Sequence, residues 1–130
     1  MRCLGSESTE LERAATKELV AAWLREHGEA ISAIFVEDSF NPLLGAVDAI
    51  DASGRKDIVV YVTGNNKVSL DLMKAGKVHG IRWESAEADG ALAIESAIDY
   101  FNGLEVPPIR YLPAMVIKPE EVESYYPAQW

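Results

Sequence analysis

Four glycines set the rhythm of this chain. Gly28, Gly54, Gly76 and Gly103 each follow a segment with helical spacing, and glycine most readily takes the left-handed conformation that closes a helix. A short run rich in β-branched residues follows each of the first three within a few positions, and a looser run over 109–116 follows the fourth. A helix-then-strand unit repeated in this way leaves few architectures open. Strands alternating with helices pack around a mainly parallel sheet with right-handed crossovers. The expected fold is therefore α/β, a three-layer open sheet in a single Rossmann-like lobe.

The units can be read one by one. A first helix is predicted over 10–27, with Thr9 and Glu12 as a capping box and Leu11, Ala15, Leu19, Ala22 and Trp23 on one face. A buried strand over 31–36 follows. The second helix opens with Asn41 as cap and Pro42 in its first turn, and its apolar face is Leu43, Ala46, Val47 and Ile50. The run over 58–62 is apolar on both faces, as a central parallel strand should be. A short helix over 69–75 leads to a strand over 78–83, whose His79, Gly80 and Arg82 place it nearer an edge. The fourth helix, over 86–102, is expected to bury Ala91, Ile94, Ile98 and Phe101. From Pro107 onward prolines punctuate the chain, with one strand over 109–116. Residues 1–8 read as an irregular leader where a strand would normally stand, and 9–130 as one domain lacking its first strand.

Composition removes several functions. The 130 residues, 48% of them hydrophobic, suffice for one core. A net charge of −9 opposes nucleic acid and anionic membrane surfaces, which require basic groups. The single Cys3 forms neither an internal disulfide nor a multi-cysteine metal site, and no metal or other cofactor is implied. The opening residues lack the apolar stretch of a signal peptide, so the chain as written is expected in the cytoplasm.

In open α/β sheets, ligands bind outside the carboxyl ends of the strands. Glu37, Asp38, Ser39 and Asn41 lie past the first predicted strand, Thr63, Gly64, Asn65 and Asn66 past the second, and Trp83, Glu84 and Ser85 at the third. Carboxylates and amides that exchange hydrogen bonds with hydroxyl groups, beside one indole face, suit a polyhydroxylated ligand. The candidate ligand-binding set is Asp38, Thr63, Asn65, Asn66, Trp83 and Glu84. Each has a plainer reading: Asp38 as an Asx turn, the asparagines as turn residues, Trp83 as packing and Glu84 as a solvated surface group. Neither histidine sits at a strand end, no serine has a nucleophile-elbow setting, and no phosphate-cradling glycine loop is present. No catalytic residue is assigned, and the chain reads as a binding module.

Particular segments carry a family likeness. They are Ile34-Phe35-Val36-Glu37-Asp38 with Leu44-Gly45-Ala46, Asp57-Ile58-Val59-Val60, Ala75-Gly76-Lys77-Val78, Gly90 in the long helix, and Tyr125-Tyr126-Pro127 at the end. In this order and spacing they resemble the C-terminal lobe of periplasmic sugar-binding proteins of the ribose and galactose type, with the type 1 periplasmic-binding fold. The resemblance takes in nearly all of the chain but only about half of a complete member. It implies a sugar or polyol ligand, an N-terminal lobe outside this sequence, an ABC permease as partner and a periplasmic location. Asp38 falls where the family's aspartate contacts sugar hydroxyls, although its loop is one residue longer than the pattern. Thr63 stands where the family has an acid, and Glu84 where a glutamine is common. With the other lobe absent, weak ligand binding and self-association through the exposed inter-lobe surface are expected. The alternative is the effector-binding lobe of a lactose-repressor-type regulator, which shares the fold. A receiver-like domain phosphorylated at Asp38 fits poorly, because Pro113 and Ala114 stand where a lysine is required.

Overall fold

A computed structural model describes residues 2–128. Met1, Gln129 and Trp130, which the sequence reading counts in the leader and the lobe, lie outside the described residues. Four helices and four strands alternate: α1 (Arg13–His27), β1 (Ala33–Val36), α2 (Asn41–Ser53), β2 (Val59–Thr63), α3 (Lys67–Lys74), β3 (Gly80–Arg82), α4 (Ala86–Phe101) and β4 (Val116–Ile117). A 3-10 turn at Gly28–Ala30 links α1 to β1, and another, Pro119–Tyr125, follows β4. The sheet order is β1-β2-β3-β4, parallel except for the antiparallel last pair. The α/β class and the open, mainly parallel sheet are as expected.

The core is one-sided. Ile34 and Val36 of β1, Val60 and Val62 of β2, Ile81 of β3 and Ile117 of β4 point to the same face and are buried. Right-handed crossovers between strands adjacent in chain order put α2 and α3 on that face together. Leu43, Ala46, Val47 and Ile50 of α2 and Leu70 and Met73 of α3 complete the core, with Val20 of α1. Alternate residues point the other way, and there Phe35 is 62% exposed and Tyr61 43%.

That bare face explains a correction. The fourth helix forms as expected, but none of its residues is buried: Ala91 is exposed, Ile94 is 64% exposed, Ile98 54% and Phe101 84%. Helical periodicity marks the apolar side of a helix but not whether a partner lies against it. Among the described residues α4 has no extensive packing partner. Its chief tie is Arg110, which donates to Ser96 at 2.8 Å and approaches Glu95 and Asp99.

Other elements shift by smaller amounts. The first helix begins at Arg13, without the predicted capping box. The Thr9 hydroxyl instead shares a 2.7 Å hydrogen bond with Thr16, whose own hydroxyl donates to Glu12 O. Once satisfied in this way, Thr16 is buried with Val20, while Leu11 and Ala15 of the predicted face are exposed. Phe40, not Asn41, occupies the cap of α2, and Asn41 is its first helical residue. The strand predicted over 109–116 shortens to Val116–Ile117, because Pro107, Pro108 and Pro113 cannot donate to a ladder. That short strand covers β3, so β3 is one position in from the edge.

Two close approaches require glycine. A β-carbon on Gly45 would sit 2.3 Å from Arg13 O, so only glycine lets α2 lie this near α1. Gly80 lies beneath the Tyr61 ring, whose nearest carbon would be 2.1 Å from an added β-carbon.

Candidate functional site

The parallel register of β1, β2 and β3 brings the residues that follow each strand to one end of the sheet. Past β1, Asp38 Oδ1 accepts from Phe40 N at 2.9 Å, an Asx turn that feeds the chain into α2. The next residue, Ser39, is buried and reaches across to the β2 loop. A β-carbon on Gly64 would lie 2.6 Å from Ser39 Oγ and 3.8 Å from a Glu84 carboxylate oxygen. Gly64, at φ 96°, also makes a turn that other residues rarely adopt. Three strand ends therefore converge on Gly64.

The β2 loop is tied down on both sides. Gly64 N donates to Arg82 O at 3.1 Å. Buried Asn65 accepts the Glu84 backbone N–H on its Oδ1 at 2.8 Å, joining the β2 and β3 loops. Asn66 Oδ1 accepts from Ser69 N at 3.0 Å and so caps α3. The Ser69 hydroxyl donates back to Gly64 O at 2.8 Å. Thr63 is 7% exposed, and its hydroxyl has no hydrogen-bond partner. A buried hydroxyl without a partner is costly, which leaves this one free to accept or donate.

At β3 the Glu84 carboxylate pairs with Arg82, both on the outward face two residues apart. Trp83 points to the other face, half-buried against the core edge, and its N–H donates to Met115 O at 3.0 Å. Of the six predicted residues, Thr63, Asn65, Asn66 and Glu84 lie around Gly64, while Asp38 stands at the same end of the sheet beside Ser39 and Trp83 precedes Glu84. The amide oxygens of Asn65 and Asn66 are spent on the scaffold, while the Glu84 carboxylate remains partly exposed. Sequence reasoning passed over two participants. Ser39 was placed past the first strand but left out of the candidate set, and its nearness to Gly64 brings it in. Arg82 could have been found from strand alternation, which puts residues two apart on one face.

Both histidines lie away from this mouth. His27 ends α1, and His79 precedes β3, where its Nδ1 accepts from Val60 N at 3.1 Å. A cavity of about 380 Å³ runs beside β1 and reaches the mouth only at Glu37 and Asp38. The mouth is thus an open, polar surface of carboxylate, hydroxyl and guanidinium groups.

Comparisons with known proteins agree with this fold. The family model described as periplasmic binding protein domain matches residues 3–105. An ABC transporter periplasmic solute-binding protein from Actinobacillus succinogenes, solved with D-allose, is similar at 24% identity and TM-score 0.75, covering 91% of this chain and 41% of its own. A solute-binding protein from Bacillus halodurans with bound myo-inositol is 29% identical with TM-score 0.70, covering 88% and 39%. A glucose-galactose binding protein from Geobacillus stearothermophilus shares the fold at TM-score 0.80 with 14% identity, covering 92% and 42%. The chain thus spans about two-fifths of the structures it resembles. Among curated proteins, no sequence matches it significantly. With the family model covering most of its length, the chain belongs to the periplasmic binding protein domain family.

Proposed function

We propose that residues 9–130 act as the C-terminal lobe of a solute-binding component of an ABC importer, with a sugar or polyol as ligand. The observation that carries this reading is the convergence of Ser39 and Glu84 on Gly64, with Asp38 beside Ser39, at the mouth of three parallel strands. A hydroxyl-rich ligand offers donors to the Asp38 and Glu84 carboxylates and acceptors to Arg82, and the Thr63 hydroxyl supplies either role. Trp83, packed against the core edge on the opposite face, adjoins this wall only at the strand end, where its partly exposed indole offers an apolar surface to a sugar ring. Relatives that carry D-allose and myo-inositol support this ligand class. The role is capture and release without bond-making, and a full-length protein would meet its permease in the periplasm.

One wall alone binds weakly. A typical hydrogen bond contributes about 0.5–1.5 kcal/mol, so the loss of about five contacts from an opposing wall weakens affinity a hundredfold or more. The test is saturation-transfer NMR with D-allose and myo-inositol at millimolar concentration, beside calorimetric titration. Saturation transfer that falls in Glu84→Gln and Asp38→Asn, without calorimetric affinity in the micromolar range, is the expected result. Transfer unaffected by both substitutions would overturn the site. Micromolar affinity would overturn the half-site account.

A further inference from the structure

Five polar side chains are buried among the described residues: Thr16, Ser39, Thr63, Asn65 and Ser69. Buried polar groups normally find hydrogen-bond partners within the fold. Thr16 and Ser69 do, through Thr9, Glu12, Gly64 and Asn66. The other three stand around Gly64 and keep open positions. None of the mouth's hydrogen bonds uses the Ser39 or Thr63 hydroxyl. Asn65 is fixed by its Oδ1 on the Glu84 N–H, which leaves its Nδ2 without an acceptor. Glu84 is held by Arg82 through Oε1 alone. Its Oε2 and Ser39 Oγ lie 3.8 and 2.6 Å from one point, the place a β-carbon on Gly64 would take. The exceptions to hydrogen-bond satisfaction thus gather at three strand ends that this chain itself supplies.

We propose, on the reading of this mouth as the ligand site, that Ser39, Thr63, Asn65 and Glu84 Oε2 form an inner subsite that takes a vicinal diol and sets ligand specificity. The open positions select that group. One hydroxyl offers one donor and two acceptor positions, too few for four waiting groups, so a neighbouring hydroxyl is needed. A hydroxyl pair on adjacent carbons donates to Glu84 Oε2 and accepts from Asn65 Nδ2, and the Ser39 and Thr63 hydroxyls serve in either sense. A ligand lacking one of the pair leaves buried groups unsatisfied, and a carboxylate in its place meets the Glu84 charge.

Stability and binding should respond differently to the same substitutions. Thr63→Val and Ser39→Ala remove hydroxyls that the fold does not use, so Tm should hold or rise in each. Each should weaken myo-inositol binding about two- to tenfold, the contribution of one hydrogen bond, read from mouth amide shifts in a millimolar titration. Cyclohexane-1,3,5-triol, whose hydroxyls stand on alternate carbons, should bind the parent chain more weakly than myo-inositol by a similar factor. A fall in Tm in either variant would overturn the proposal, since that hydroxyl would then serve the fold. So would mouth shifts that neither substitution weakens, or a triol that binds as tightly as myo-inositol; both results leave the mouth as a ligand site and remove the subsite. Mouth amides unmoved by myo-inositol, D-allose and the triol alike would instead overturn the ligand site itself, and the subsite with it.

Discussion

Replacing Gly45 with alanine should destabilise this protein, although the same change inside a helix normally does the reverse. Alanine is favoured over glycine in helix interiors by about 1 kcal/mol. At Gly45, however, the new methyl would lie 2.3 Å from Arg13 O, 3.0 Å from Thr16 Cβ and 3.1 Å from Lys17 N. Two of those atoms are backbone, so relief requires α1 to move away from α2 as a body. A 2.3 Å approach to backbone puts the cost in the upper part of the usual overpacking range, about 2–3 kcal/mol, and subtracting the helix preference of about 1 kcal/mol leaves a net loss of about 1–2 kcal/mol. For a chain of this length each kcal/mol corresponds to about 4 °C, so Tm should fall by about 4–8 °C. Gly90, in α4, is the internal control, because an added methyl there meets nothing within 4 Å. Gly90→Ala should raise helicity and leave Tm unchanged or higher. Urea and thermal unfolding followed by circular dichroism measure both. If Gly45→Ala were neutral or stabilising, the close packing of α1 on α2 would be wrong.

Other substitutions probe separate layers of the account. Leu70→Ala empties a fully buried site of the one-sided core and should cost about 2–5 kcal/mol by urea unfolding. Ile98→Ala, on the unpacked face of α4, should change stability by no more than about 0.5 kcal/mol in the same assay. The tail clasp should respond to pH. Lys67 first, and then the Tyr126 hydroxyl at 2.7 Å, hold the Asp71 carboxyl below its ordinary range. A depressed carboxylate contributes stability above that range and loses it as pH falls through the lowered value. Burial first, and then its bond to Asp71, push the Tyr126 phenol up to about 12. That contribution is complete below the ordinary phenol value of 10.0 and disappears as pH rises toward about 12. Tyr126→Phe should flatten thermal stability against pH at both extremes, and profiles that superimpose on the parent's would count against the clasp.

How much of this was legible in the sequence follows from what each signal encodes. The β-branched runs over 31–36 and 58–62 announced buried strands because few other structures tolerate them, and the α2 face of Leu43, Ala46, Val47 and Ile50 needed only periodicity. The convergence of strand ends followed from parallel topology. Three features were hidden. The buried side of α1 turned on a threonine satisfied by Thr9 and Glu12, which a hydrophobic count passes over. The exposure of Ile94, Ile98 and Phe101 depends on what faces α4, and periodicity carries no information about that. Ser39 joins the mouth through a glycine twenty-five positions away, a nearness that only three dimensions reveal.

The most direct test of the central claim is a residue-resolved map of ligand contact. Amide chemical-shift mapping during titration with D-allose or myo-inositol should perturb Asp38, Ser39, Gly64, Asn65, Trp83 and Glu84 together and leave His27, Arg55 and His79 unmoved. Perturbation at the opposite ends of the strands, or along the outer side of α1, would contradict a hydroxyl-binding mouth built from three parallel strand ends.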